Sequence, residues 1–301
     1  MNLIEKIRYH GFVGSALIGI GGGRRRARLR YDRWRVRNAP LYVNPMPEEL
    51  TAIERDLHVL DIVVEDFSPS SALFKEFQAE AWFLPTYHGG RAGGVWDEKL
   101  LEHWISGGLL GLAEYGADDI YVDVAACASP WVKELRERCN LNAFAIDLAP
   151  ASGAYSELPY YRVENATQSS FANESVRGVS LHCAYEMFAG EDDTKLIDEL
   201  ARILKPGGKA VILPLYMHTH YCAYATPEYF GKGYSDPTAK EYVRMDCHGV
   251  PSSRKYNAET LKQRVLEPIL RAGLKYRLRA LRNNAELGSN IYCHFILEIE
   301  K

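Results

Sequence analysis

The 301-residue sequence lacks three features that would place it in a familiar class. Its six cysteines include no C-x-x-C pair and show no regular spacing, which excludes a disulfide scaffold and favours buried thiols in a reducing compartment. Its formal net charge is -3, so the chain as a whole is not a dedicated nucleic-acid binder. The apolar run of residues 12–23 (FVGSALIGIGGG) is too short to span a bilayer.

That apolar run follows Lys6 and Arg8 and therefore has the outline of a signal peptide. No small-residue cleavage site follows it, and Arg24–Arg26 comes at once. We expect a helix packed on the protein or a shallow surface anchor, so peripheral membrane contact stays open. Cytoplasmic is the location that we predict. The apolar share of 47% is typical of a globular protein with a core.

Residues 1–95 show no regular alternation, and we interpret them as an accessory segment that serves the substrate or forms a lid. They contain an arginine-rich stretch, a proline-punctuated linker, two predicted helices and a glycine-rich loop, in the order Arg24–Arg37, Pro40–Pro47, Glu48–Leu60, Leu73–Trp82 and Thr86–Gly94. The four glycines of that loop indicate tight turns or mobility.

From residue 96 onward, strands and helices alternate. Predicted helices are Asp97–Leu112, Trp131–Cys139, Asp193–Leu204 and Ala258–Ala272. Predicted strands are Ile120–Val124, Ala143–Asp147, Val163–Thr167, Gly178–His182, Lys209–Tyr216, Leu274–Leu281 and Asn290–Ile299. This alternation predicts an α/β domain over residues 96–301 with a parallel sheet and helical crossovers, interrupted by an aromatic and histidine-rich insertion, residues 216–256.

The segment Ile120–Trp131 (IYVDVAACASPW) is typical of a strand that enters a tight turn and then a helix. Ser129 can accept a backbone N–H at the helix start, and Pro130 suits the first helical position. The start of such a helix offers free N–H groups and a positive dipole to a carboxylate. Ligands of α/β sheets gather at the carboxyl ends of strands, so this turn is a candidate ligand site.

A second segment, Ile203–Pro214 (ILKPGGKAVILP), predicts a helix end, a Pro-Gly-Gly turn and a buried strand. Between the two segments, Asp147 closes a strand 24 residues after Asp123. An acidic side chain there can accept both hydroxyls of a ribose, in a methyltransferase or in a dehydrogenase.

In this order over residues 96–216, these segments resemble the cofactor half of class I S-adenosylmethionine-dependent methyltransferases, and Glu199–Gly208 (ELARILKPGG) is the most specific marker. The resemblance implies an enzyme with a Rossmann-like seven-stranded sheet, parallel with an antiparallel terminal hairpin strand, and S-adenosyl-L-methionine as cofactor. The chain departs from the family because Ala125, Cys127 and Ser129 stand at the three glycine positions of the turn. Such residues tolerate positive φ less well than glycine. The missing glycine fingerprint also disfavours a dehydrogenase.

The resemblance further implies where the cofactor lies. Asp123 matches the acid near its amino group, Asp147 the acid at the ribose, and Asn165 the residue that accepts from the adenine amino group. The full set of predicted cofactor-binding residues is Asp123, Ala125, Cys127, Ser129, Asp147, Leu148, Asn165, Ala166 and His182, with Tyr87 and His88 as lid contacts.

Methyl transfer to a hydroxyl needs a positioned nucleophile and a group that removes its proton. We predict His218 or His220 as that base, and Glu186 as a further catalytic candidate, although a cap of the following turn is the favoured role of Glu186. The run Leu181–Phe188 (LHCAYEMF) also resembles methyltransferases of bacterial surface-polysaccharide and other glycan pathways. His218, His220 and Cys222, with Asp246–His248, are metal-ligand residue types, but their spacing fits no standard zinc module, and we predict no metal.

These patterns together predict O-methylation of a hydroxyl on a sugar or other polar small molecule. Tyrosines of the insertion suit a sugar- or ring-binding cleft, or a small aromatic core. The eight arginines of Arg24–Arg37 suit a phosphate-bearing substrate, an anionic membrane or RNA, or simply a solvated face. The alternatives are an RNA or protein methyltransferase and a non-catalytic partner protein with the same fold. The sequence has no Asn-Pro-Pro-Tyr-like motif after the fourth predicted strand, which weighs against methylation of a nucleic-acid base. Self-association stays open.

Overall fold

The computed structural model describes residues 28–90, 94–126, 129–151 and 153–301. These residues fall into two compact units. The first contains residues 28–44 and Cys222–Ser253, and the second contains Pro45–Tyr221 and Arg254–Lys301. No helix in the described ranges is both long and apolar enough to cross a membrane. The boundaries of these units differ from the domain boundary that the sequence predicts between residues 95 and 96. The accessory role predicted for residues 1–95 stays a prediction.

Apart from the helical residues 28–35, the helices are α1 Pro47–Val59, α2 Ser71–Ala79, α3 Trp96–Leu110, α4 Trp131–Cys139, α5 Asp192–Ile203, α6 Ala258–Leu261, α7 Glu267–Arg271 and α8 Asn284–Leu287. A π-helical turn, Lys262–Leu266, joins α6 to α7, and 3₁₀ turns cover Tyr87–Gly89, Leu112–Glu114, Gly153–Tyr155 and Tyr185–Met187. The strands are β1 Val64–Phe67, β2 Ile120–Val124, β3 Asn142–Asp147, β4 Tyr161–Val163, β5 Val176–His182, β6 Leu204–Leu215, β7 Cys222–Ala225, β8 Lys240–Val243, β9 Ser253–Lys255, β10 Lys275–Leu281 and β11 Phe295–Glu300.

The second unit is built on one sheet with the strand order β1-β10-β11-β6-β5-β2-β3-β4. Strands β2 to β6 are parallel to their neighbours in this group, whereas β11 lies antiparallel between β6 and β10. This arrangement confirms the predicted Rossmann-like methyltransferase fold. The sheet has an eighth strand that the sequence does not predict, because β1 has only four residues (VEDF) and no full alternation of apolar positions.

Two further differences concern predicted boundaries. The Pro-Gly-Gly segment is part of β6 rather than a turn before it, since Leu204 pairs with Val176 and Lys209 with Gly178 across a register shift. Gly207, at φ +75°, makes this irregularity possible. Strand β4 ends at Val163, earlier than predicted, because Asn165 accepts from the backbone N–H of Thr167 and turns the chain.

Each face of the sheet is covered by its own hydrophobic core. Helices α1, α5 and α6 cover one face, where Val122 of β2 is fully buried, and α2, α3 and α4 cover the other, where Tyr121 is fully buried. Successive strand residues point to opposite faces. Asp123 therefore shares with Tyr121 the face that α3 and α4 cover, and so do Ser180 and His182 of the neighbouring β5.

In the first unit, residues 28–35 are helical and β7 pairs in parallel with β8. Leu41 forms an isolated bridge to Val243, and the Tyr42 ring lies 4.7 Å from that of Tyr224. Strand β9 begins at Ser253, the last residue of this unit.

Candidate active site

A chain of hydrogen bonds fixes the carboxylate of Asp123 at the end of β2. Trp131 Nε1 donates to the Tyr121 hydroxyl at 3.0 Å, and that hydroxyl lies 2.5 Å from Ser180 Oγ. Ser180 Oγ in turn donates to Asp123 Oδ1 at 3.0 Å. Asp123 is 1% exposed, and its second oxygen, Oδ2, is buried without a hydrogen-bond partner. Such an oxygen is a preformed acceptor for a ligand N–H or O–H.

His182 extends this chain from Asp123 to helix α3. Its Nδ1 lies 3.0 Å from Asp123 Oδ1, and its Nε2 lies 2.8 Å from Ser106 Oγ. The His182 ring also meets the ring of His103 edge to face at 4.4 Å. Since an ionised carboxylate only accepts hydrogen bonds, Asp123 selects the tautomer of His182 that carries a proton on Nδ1.

Helix α3 contributes a buried polar stripe to the same region. Lys99, Glu102, His103 and Ser106 lie three to four residues apart and therefore share one side of the helix. The His103 ring is stacked against Trp131 at 5.0 Å, and its Nε2 lies 2.9 Å from the Tyr87 hydroxyl. Burial lowers the pKa of His103 well below its usual value, and the nearby His182 and Lys99 lower it further. His103 is therefore neutral near pH 7, and its Nδ1 is buried without a partner.

These side chains surround a cavity of about 330 Å³. Its lining is Tyr87, His88, Lys99, Glu102, His103, Asp123, Val124, Ala125, Ala126, Ser129, His182 and Cys183. The cavity thus opens between the carboxyl ends of β2 and β5, the start of α4 and the polar stripe of α3, where the topology of this fold places ligands.

A second polar cluster forms part of the cavity wall. Lys99 Nζ donates to both oxygens of the fully buried Glu102, at 2.9 and 3.0 Å, and Cys183 Sγ donates to Glu102 Oε1 at 3.2 Å. The hydroxyl of Tyr216 lies 3.1 Å from the same sulfur. Burial, followed by the charge of Glu102, raises the pKa of the Cys183 thiol, so Cys183 is not a thiolate near neutral pH.

Glu98, one residue before Lys99, is a buried acid that holds a proton. Its Oε2 accepts from the backbone N–H groups of Tyr292 and Cys293, at 2.9 and 3.2 Å, while Oε1 is buried without a partner. Burial first, and the nearby Glu102 second, raise the pKa of Glu98 to about 8. The protonated carboxyl therefore avoids placing a second negative charge beside Glu102.

Three residues of the cavity wall adopt a left-handed backbone although none is glycine. The φ angles are +55° at Ala125, +48° at Cys183 and +46° at His88. Each such residue costs on the order of 1 kcal/mol, and such strain concentrates at functional sites. Ala125 stands at the first glycine position of the family pattern, so the turn keeps the conformation that glycine would favour.

The start of α4 forms part of the wall through Ser129. Its Oγ accepts from Trp131 N at 3.3 Å, which confirms the predicted bond from the helix start. Pro130 precedes the helix rather than opening it, because α4 begins at Trp131. The hydroxyl of Tyr161 donates to the carbonyl oxygen of Ser129 and fixes the turn to β4.

The other residues predicted at the cofactor follow the neighbouring strands and are not in the lining of this cavity. Asp147 ends β3, and its Oδ1 accepts from Ala149 N at 2.9 Å. Leu148 is 75% exposed. Asn165 and Ala166 follow β4, next to Asp147, because Glu164 N donates to the Asp147 carbonyl at 2.9 Å. Cys127 lies outside the described residues.

None of the three predicted catalytic residues lines the cavity. His218 is buried and His220 half-buried, and their rings meet edge to face at 4.4 Å on either side of Thr219. Glu186 is buried in the 3₁₀ turn after β5, where burial raises the pKa of its carboxyl. Its Oε2 is without a hydrogen-bond partner. Their catalytic roles stay predictions.

Sequence reasoning missed the residues of α3 that line the cavity, Lys99, Glu102 and His103. The pattern of that helix emphasises Leu100, Leu101 and Ile105, which are buried as expected. Polar residues at positions 99, 102, 103 and 106 share one side of this helix. Such a polar stripe in an otherwise apolar helix is the sequence pattern that could have predicted its contribution to the site.

Residues 122–212 match the family model described as a methyltransferase domain. The match covers less than a third of the chain and contains Asp123, Asp147, Asn165 and His182. No curated protein matches the chain in sequence.

Similar solved structures include the Burkholderia thailandensis 1,6-didemethyltoxoflavin-N1-methyltransferase with S-adenosylhomocysteine bound, at 12% identity and a TM-score of 0.45 over 87% of this chain and 93% of that one. Another is the geranyl diphosphate C-methyltransferase of Streptomyces coelicolor A3(2), at 14% identity and a TM-score of 0.41 over 86% and 98% of the two chains.

The strand order and the match to the methyltransferase domain lead to one conclusion. The protein is an enzyme of the S-adenosylmethionine-dependent methyltransferase class, and its cofactor is S-adenosyl-L-methionine. The residues present fit that group, because the buried and unpartnered Asp123 Oδ2 can accept from an ammonium N–H.

Proposed function

We propose that the enzyme methylates a hydroxyl of a small polar molecule, and that a sugar is the favoured acceptor class. The observation that carries this proposal is the cavity at Asp123. Its volume of about 330 Å³ suits part of a cofactor and a small reacting group, and its mostly apolar wall carries the polar groups of His103, Lys99 and Glu102. The sugar assignment rests on the resemblance of Leu181–Phe188 to glycan-pathway methyltransferases.

The cofactor would be held along the carboxyl ends of β2, β3 and β4. Asp123 would bind its ammonium group, the start of α4 at Ser129 its carboxylate, and Asp147 its ribose hydroxyls. Asn165 would accept from the adenine amino group while Leu148 packs on the ring. Bound S-adenosylmethionine supplies a methyl group on an electrophilic sulfonium.

We place the general base at His103. The ring is neutral, it lines the cavity, and its unpartnered Nδ1 can accept the hydroxyl proton in the tautomer whose Nε2–H donates to Tyr87. Stacking between Trp131 and Phe83 holds the ring in place. Proton removal and positioning would thus come from the helix that precedes β2. His218, His220 and Glu186 are the alternative bases.

The test measures methyl transfer from labelled S-adenosylmethionine to a panel of sugars and phenols. For an acceptor that is methylated, His103→Asn should lower kcat by about 10²- to 10⁴-fold, the usual contribution of a general base. Its affinity for S-adenosylhomocysteine should be unchanged. The matched control is His58→Asn, since His58 is an exposed histidine of α1. Unchanged kcat in His103→Asn would overturn this assignment and return the role to His218, His220 or Glu186.

An RNA acceptor is less well supported, because its sequence argument rests on the arginine stretch. In the first unit, Arg33 donates to the carbonyl of Met245 at 3.2 Å, and Arg35 donates to those of Pro227 and Phe230 at 2.7 and 3.1 Å. These guanidinium groups therefore have a structural role. The argument for a phosphate-bearing acceptor is weakened as well, because it rests on the same arginine-rich stretch. Cytoplasmic location and self-association remain part of the proposal.

A further inference from the structure

The first unit contains a polar cavity of its own, of about 530 Å³. Its lining consists of Arg28, Leu29, Asp32, Glu228, Tyr229, Lys232, Tyr234, His248 and Gly249. This lining shares no residue with that of the cavity at Asp123. The volume lies within the usual range of small-molecule sites.

Two carboxylate oxygens in this lining are buried without a hydrogen-bond partner. Asp32 is 6% exposed, and its Oδ2 is 4.0 Å from the Nε of Arg28, which is beyond hydrogen-bond distance. Glu228 accepts from Gly249 N through Oε1 at 2.6 Å, whereas its Oε2 has no such partner. A buried acceptor without a donor costs about 1–3 kcal/mol, so two in one cavity indicate that a ligand supplies the donors.

The charges of the lining select the kind of donor. Arg28 and Lys232 are cationic and oppose the anionic Asp32 and Glu228, so the lining favours neither a strong cation nor an anion. Burial alone would raise the pKa of Glu228, but hydrogen bonds from the backbone, Gly249 first, and from the Thr226 side chain, together with the charge of His248, outweigh it and lower that pKa. Glu228 is therefore an ionised acceptor near neutral pH. A neutral molecule rich in hydroxyl groups meets these conditions.

The aromatic side chains of the lining suit the same molecule. Tyr229 and Tyr234 meet edge to face with ring centroids 5.3 Å apart, and Tyr234 is 51% exposed. An exposed tyrosine ring offers a flat apolar surface with a polar tip, which matches the C–H face and the hydroxyl edge of a pyranose.

From these contacts we propose that the cavity of the first unit binds a neutral mono- or disaccharide. Sugar hydroxyls donate to Asp32 Oδ2 and Glu228 Oε2, and one face of the ring packs on Tyr234. This site is a property of the first unit and does not depend on which molecule is methylated. A ligand-binding cavity here gives the insertion of residues 216–256 a recognition function.

The test is saturation-transfer NMR on the full chain without cofactor, with the methyl glycosides of glucose, galactose, mannose and N-acetylglucosamine. At least one glycoside should bind with a Kd on the order of 1 mM. Inorganic phosphate and tetramethylammonium serve as anionic and cationic probes, and neither should displace it. Absence of binding by all four glycosides up to 50-fold above that Kd would overturn the proposal, as would preferential binding of either ion.

Variants connect the binding to the named atoms. Asp32→Asn and Glu228→Gln each replace an acceptor oxygen by an amide and should weaken sugar binding about tenfold, the loss of one hydrogen bond to a charged group. Tyr234→Ala should weaken it similarly, whereas Tyr31→Ala should not, because Tyr31 is as exposed but does not line the cavity. Equal binding by the wild type and by folded Asp32→Asn, Glu228→Gln and Tyr234→Ala would overturn the proposal.

The readout separates this proposal from the proposed reaction. Sugar binding is measured without S-adenosylmethionine, and His103→Asn should leave it unchanged. If His103→Asn loses methyl transfer but keeps sugar binding, the substitution affects the proposed reaction and not the sugar site. If Asp32→Asn loses sugar binding but keeps its affinity for S-adenosylhomocysteine, the substitution affects the site of the first unit and not the cofactor site.

Discussion

Replacing Asp123 by Asn tests the best-defined polar group of the site. The amide keeps the shape of the side chain and can keep the bond from Ser180 Oγ to its oxygen. It places an NH₂ group where Oδ2 is now buried without a partner. If Oδ2 accepts from the cofactor ammonium, the variant loses one hydrogen bond between charged groups, worth about 1.5–3 kcal/mol. The Kd for S-adenosylhomocysteine should therefore rise about 10- to 150-fold.

The assay is calorimetric titration with two ligands. S-adenosylhomocysteine carries the ammonium group, whereas 5′-methylthioadenosine lacks the amino acid part, so only the first should bind more weakly to Asp123→Asn. Asp118→Asn is the matched control, because Asp118 is an exposed carboxylate shortly before the same strand. An equal loss for both ligands, or no loss for S-adenosylhomocysteine, would refute the role of Oδ2.

Two further predictions concern Glu98 and Ala125. The folded-state pKa of Glu98 is raised to about 8, so the folded protein binds the extra proton and the wild type should lose stability as pH rises from about 5 to 8, by at most about 1.4 kcal/mol per unit. In denaturant unfolding, the free energy of unfolding of Glu98→Gln relative to the wild type should rise by about 2 kcal/mol between pH 6 and pH 8. Parallel pH profiles of the two proteins would contradict the raised pKa of Glu98. Ala125→Gly removes the strain of φ +55° and should leave the free energy of unfolding unchanged or raise it by up to about 1 kcal/mol. The adjacent Ala126→Gly should lower it by about 0.5–1 kcal/mol, and an equal loss in both variants would exclude strain at Ala125.

The parts of the fold that were predictable are those with strong local signals. Strand Ile120–Val124 and helix Trp131–Cys139 have the predicted bounds, because a compact apolar run and a serine-proline start define them locally. Strand β1 was not predictable from its four residues, since its place beside β10 depends on tertiary pairing. The Pro-Gly-Gly segment predicts a helix end correctly, but its pairing within β6 depends on β5.

The candidate site was predictable only in part, for a similar reason. Asp123 and His182 follow from strand ends, which meet at one edge of a parallel sheet. His103 and Glu102 come from α3, whose apolar pattern predicts a core helix. Only the packing of α3 on the sheet brings the ring centroids of His103 and His182 to 4.4 Å from each other. Non-local contacts of this kind have no signature in a single segment.

Titration of the full chain with S-adenosylhomocysteine, repeated on Asp147→Ala, tests the central claim most directly. We predict that the wild type binds and that the variant binds about tenfold or more weakly, because Asp147 would accept from the ribose hydroxyls in the proposed cofactor position. A wild type that does not bind would contradict an S-adenosylmethionine-dependent enzyme. Equal affinity in the two proteins would instead contradict the position of the cofactor along β2, β3 and β4.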